Sequence, residues 1–121
     1  MMRPVDEFGK LLMEHVRDDA IHEMDNQLLL RGKNSWAERM KAARDTDPEF
    51  FLKMVVMDTV DETIFRLLLA IGNEHIKLSF ETENGTVHKL TGDGELHGWP
   101  MGKEGWIAEF SKERFIDDFA D

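Results

Sequence analysis

The sequence predicts an α+β fold in which N-terminal helices pack on a C-terminal antiparallel β-meander of about four strands, closed by a short helix. Three observations carry that expectation. Apolar residues recur at helical spacing as far as Gly72, they alternate with polar ones from Ile76 to Glu81, and Asn84-Gly85 supplies a hairpin signal just beyond.

The first helix is expected from Val5 or Asp6 to Leu30, ending near Gly32. At ~100° per residue, Met13, Val16, Ala20, Ile21, Met24 and Leu28 fall on one broad face, and Leu29 falls off it. A second helix is expected over Trp36–Arg44, with Asn34 or Ser35 as N-cap. A third starts near Pro48, which suits the first helical position, with Thr46 or Asp47 as cap. Continuing it past Met57 would set Asp58 and Asp61 among apolar residues, and unpaired buried carboxylates are costly. Thr59 and Glu62 have capping-box spacing, so a fresh helix is expected there, stopped by Gly72 at its C′ position.

Beyond Gly72, Ile76, Leu78 and Phe80 point to one side of a half-buried strand. The returning strand, Thr86 to Leu90, admits two registers. A two-residue loop pairs Thr82 with Val87 and Glu81 with His88, whereas a three-residue loop aligns Leu78 with Leu90. Two further strands are expected at Glu95–Trp99 and Trp106–Phe110, with Pro100-Met101-Gly102 turning between them. A last helix, capped by Ser111, would carry Phe115, Ile116 and Phe119.

The 121 residues show no repeat, linker or low-complexity stretch, which predicts a single domain over residues 1–121. The absence of cysteine excludes disulfides and thiolate metal sites. The opening MMRPVDEFGK has no signal-like apolar core, and the longest apolar run spans only Leu67 to Ile71, so the expected location is cytoplasmic and no membrane partner is expected. With 25 acidic and 15 basic residues the formal charge is −10, which repels nucleic acid and anionic lipid and favours either plain solubility or a basic protein partner.

No nucleophile-elbow, phosphate-loop, dinucleotide or H-E-x-x-H pattern is present. Four candidate sites remain. His15 and His22, with Asp19 between them, lie within ~20° on one helix face and have metal-ligating chemistry, but two turns separate them by about 10 Å. The alternative is a solvated charge stripe. Asp58, Asp61 and Glu62 offer paired carboxylates for acid–base work or metal binding, whereas acids at a helix start serve the cap and the macrodipole without any function.

The segment from Gly92 to Trp106 holds five of the nine glycines and two of the three tryptophans. Trp99, Met101 and Trp106 there are residue types that anchor interfaces, or else they cover one end of the sheet. At the C-terminus, Phe115 and Phe119 alternate with Asp117 and Asp118, a pattern suited to a basic surface or to seating the last helix.

The chemistry favours a non-enzymatic acidic protein-binding module needing no cofactor, with Trp99, Met101, Trp106, Phe115, Asp117 and Asp118 as interface candidates. Immunity-type inhibitors of basic proteins share this profile. One alternative is a small metal-dependent enzyme using His15, His22 and the Asp58–Glu62 acids. Another is a dimeric structural component using spare apolar residues such as Leu29 and Phe65.

Overall fold

The computed structural model describes residues 2–30, 32–92 and 94–114. They form a helix-rich α+β architecture with one two-stranded antiparallel sheet. The N-terminal rod consists of α1 (Pro4–Leu12), a π-helical stretch (Met13–Arg17) and α2 (Asp18–Gln27). It is followed by α3 (Ser35–Thr46), α4 (Pro48–Gly72), a hairpin of β1 (Ser79–Glu81) and β2 (Val87–Lys89), a 3-10 turn (Leu96–Gly98) and α5 (Trp106–Phe110).

The π-helical stretch explains which residues of the rod turn inward. Its wider turn rotates less per residue than an α-helix, so the apolar face is reset at Val16. Leu11 and Leu12 pack inward above Val16, Ala20 and Met24, while Met13 is exposed. Ile21, at the edge of the expected face, is exposed as well. The rod ends at Gln27, earlier than expected, and Leu30 takes a left-handed φ of 54° to place its buried side chain against α3 and α4.

Two caps fall where the sequence puts them. The Asn34 side-chain oxygen accepts the Ala37 amide at 2.9 Å, and Asp47 Oδ1 accepts the Phe50 amide at 3.2 Å. These satisfy N–H groups that have no partner inside their own helix.

The expected break at Thr59 does not occur: α4 runs unbroken for 25 residues, about 37 Å at 1.5 Å per residue. The acids of this stretch are accommodated by a partner far away in sequence, by one a helical turn on, or by position. Asp58 accepts the Trp36 indole N–H at 2.6 Å, Glu62 takes Arg66 at 2.8 Å, and Asp61 sits half-buried at the edge. Nor is Gly72 the C′ residue. Glu74, with φ 68°, adopts the left-handed conformation, and the His75 and Glu74 amides donate back to Ala70 and Ile71 carbonyls at 2.9 and 3.1 Å. That is a Schellman closure built on a non-glycine residue.

Helix α4 is the spine of the molecule, and two apolar clusters sit along it. Near its start Met54 packs with Leu30 and Met40, with Trp36 and Phe51 at the margin. Near its end Leu68, Ala70 and Ile71 pack with Val16, Ile76 and Leu96.

The hairpin adopts the three-residue loop. Ser79 pairs with Lys89, Phe80 with His88 and Glu81 with Val87, and the Leu90 amide donates to the Leu78 carbonyl at 3.0 Å. His88 therefore faces Phe80 and not Glu81. Gly85, at φ 87°, supplies the left-handed residue such a loop requires. Ile76 is buried, but both short strands are exposed throughout, so the alternation does not continue into a covered face.

The four-strand meander is not formed. Glu95–Trp99 and Trp106–Phe110 close on themselves as a 3-10 turn and a short helix instead. Amides of Gly98 and Trp99 bond locally to Glu95 and Leu96, and those of Glu109 and Ser111 to Gly105 and Ile107. With backbone groups satisfied so close in sequence, no ladder partner is required. The expected final helix, with Phe115, Ile116 and Phe119, lies outside the described residues. Ser111 Oγ accepts the Glu113 amide at 3.2 Å. No helix among the described residues is long and apolar enough to cross a membrane.

Candidate functional site

The Gly92–Trp106 segment packs on α4, with Leu96 of its 3-10 turn in the buried cluster and Pro100 and Trp106 beside the middle of the helix. Pro100 is buried in the turn, and the amides of Trp106 and Ile107 donate to the Trp99 and Pro100 carbonyls at 3.0 and 3.1 Å. Gly102 takes φ 84°, and Gly105 lies so close to the preceding chain that a Cβ would stand 2.2 Å from the Met101 carbonyl oxygen. This tight turn needs glycine there, and it starts α5 with Trp106 as its first residue.

Between α5 and α4 runs a groove of about 610 Å³. One wall is Val56, Val60 and Ile64, four residues apart and so on one ridge of α4. The other is Trp106, Ile107 and Phe110. The walls are open: Val60 is 52 % exposed and Phe110 70 %. Asp61, Glu113 and Arg114 are the charged groups on this apolar lining.

Asp61 is the unusual one. It makes no hydrogen bond or ion pair with the described residues, and burial raises its carboxyl above the ordinary range. Arg114 reaches the Lys53 carbonyl through Nη1 at 3.4 Å.

The other sequence candidates are dispersed. His15 stacks on His75, with ring centroids 4.3 Å apart and planes 11° from parallel. His22 lies 3.5 Å from the Asn26 amide, and Asp19 is exposed. No group of three or more His, Asp or Glu residues that could hold a metal occurs among the described residues. The Asp58–Glu62 acids face three different surroundings: the Trp36 indole, the groove and the Arg66 guanidinium.

Trp99 is exposed, Met101 is partly buried, and Trp106 lines the groove. Phe115, Asp117 and Asp118 lie outside the described residues. Phe65 is not spare, since His97 meets its ring edge-on at 5.5 Å and the Arg66 guanidinium lies 5.4 Å from its centroid. Leu29 is exposed. The α4 wall of the groove was missed because a fresh helix at Thr59 assigns Val60 and Ile64 to the core. The available signal was the composition of α4 itself, which is apolar around more of its circumference than one core can cover.

Comparison of the chain with protein-family models, with curated proteins and with solved structures finds no significant match.

Proposed function

We propose that this protein is a non-enzymatic, acidic protein-binding module whose partner presents a basic surface; an immunity-type inhibitor of a basic protein is the narrower form of the same reading. The observation that carries it is the open groove, whose apolar walls stand exposed on a chain of net charge −10. Exposed apolar residues gathered in one place mark interaction surfaces far more often than scattered ones do. An acidic field around them speeds encounter with a basic partner and turns away nucleic acid. The metal-dependent alternative draws no such support, because its candidate ligands face different neighbours. Self-association would use the same apolar residues but would bring two copies of charge −10 together.

The test is retrieval of partners from native lysate at low and at high salt, with identification by mass spectrometry. A stoichiometric basic protein released by salt is the expected result. Bait that comes back bare at both salt concentrations sinks the reading.

A further inference from the structure

We propose that the groove between α4 and α5 receives an amphipathic helix of the partner, whose apolar face lies along Val56, Val60 and Ile64 and whose Lys or Arg pairs with Asp61. This rests on the binding-module reading and names the surface and the chemistry of its occupant.

The dimensions suit a helix. Val56 to Ile64 spans about 12 Å along α4, which matches two turns of a docked helix at 5.4 Å each. The groove is open along its length, with Val60 and Phe110 both more than half exposed, whereas a small-molecule site encloses most of its ligand. Trp106 and Phe110 on the facing wall are the aromatic anchors that concentrate energy at protein interfaces.

Charge selects the occupant. Asp61 is a half-buried carboxylate without a hydrogen-bond or ion-pair partner among the described residues, set in apolar walls. In the free protein its burial opposes ionisation, and an arriving ammonium or guanidinium relieves that strain while the helix excludes water. Glu113 adds a second negative group to the lining, and Arg114 is turned toward the Lys53 carbonyl. A second copy of this chain is the poorer occupant, since it brings a net charge of −10 to an acidic site.

The proposal is tested on the full chain with fluorescein-labelled 16-residue helical peptides carrying leucines at three- and four-residue spacing. A single flank position is Lys, Gln or Glu, and binding is read by anisotropy. The Lys peptide is expected to bind about tenfold tighter than the Gln peptide, a difference of about 1.4 kcal/mol, and the Glu peptide weaker still. Asp61→Asn should erase the Lys-over-Gln preference without weakening the Gln peptide. Val60→Glu should weaken all three, with an unchanged melting curve showing that the fold is intact. An equal Lys-over-Gln ratio in wild type and Asp61→Asn overturns the proposal. So does a groove that refuses the peptides but takes a fluorescent fatty acid at one equivalent. A basic partner retrieved from lysate equally well by Val60→Glu overturns the groove while leaving the binding module standing; an empty retrieval together with blank titrations removes both.

Discussion

The ends and the middle of α4 carry similar residues and meet different fates. Toward the ends Met54, Leu68, Ala70 and Ile71 are buried in two clusters, and Ile71 is 1 % exposed. Between them Val56, Val60 and Ile64 face a groove that leaves them largely open. Both sets are aliphatic and both lie on the same continuous helix. The end sets have neighbours drawn from the N-terminal rod, α3 and the 3-10 turn, while the described residues opposite the middle set are Pro100, α5 and the few residues after it. Packing secures the ends of the helix, and the middle is the stretch the proposed partner helix would cover.

That contrast can be broken or sharpened by substitution. The largest effect is expected at Ile71→Ala, which opens a cavity in the main cluster and should lower unfolding free energy in urea by about 2–4 kcal/mol. A loss under ~1 kcal/mol would mean that this end of α4 is loosely packed and would blur the distinction. Next comes Asp58→Ala, which leaves the part-buried Trp36 indole N–H without its 2.6 Å acceptor. A loss of about 1–3 kcal/mol is expected, measured in the same way.

Asp61→Asn should act in the opposite direction. Burial raises the Asp61 carboxyl above its unfolded value, so the folded state holds its proton more tightly. The ionised form therefore opposes folding, and stability attributable to this group falls as pH rises through the window above the ordinary carboxyl range. The Asn variant should melt about 1–2 °C higher at neutral pH, with the gain vanishing in acid once both states are protonated. A lower melting temperature at neutral pH would show that the carboxylate has a stabilising partner. The smallest effect is expected at Val60→Ser, within ~0.5 kcal/mol of wild type in the same denaturation, because this side chain is already open to water. A larger loss would place it in the core.

How much of this was legible in the sequence depended on the range of the interaction involved. The Asn34 and Asp47 caps were legible because a cap spans three residues, and Asn84-Gly85 announced its hairpin for the same reason. The continuity of α4 was not, because it depends on Trp36 reaching Asp58 from 22 positions away. Glu95–Trp99 and Trp106–Phe110 read as strands, but runs of five residues are too short to outweigh local turn bonds among Gly98, Gly102 and Gly105. Half of the candidate site was visible in the same way. The tryptophans of the glycine-rich segment stood out by composition, while the wall on α4 emerged only once the helix was known to run straight through.

The tryptophan placement also gives the molecule a built-in optical division. There is no tyrosine, so near-ultraviolet absorption and emission rest chiefly on three indoles. Trp36 is hydrogen-bonded to Asp58 at the contact of α3 with α4, Trp106 lines the groove, and Trp99 stands exposed beside it. With Trp99 replaced by phenylalanine, one remaining emitter reports the integrity of the helical packing and the other reports what enters the groove. Unfolding and occupancy then perturb different indoles of a single unlabelled sample.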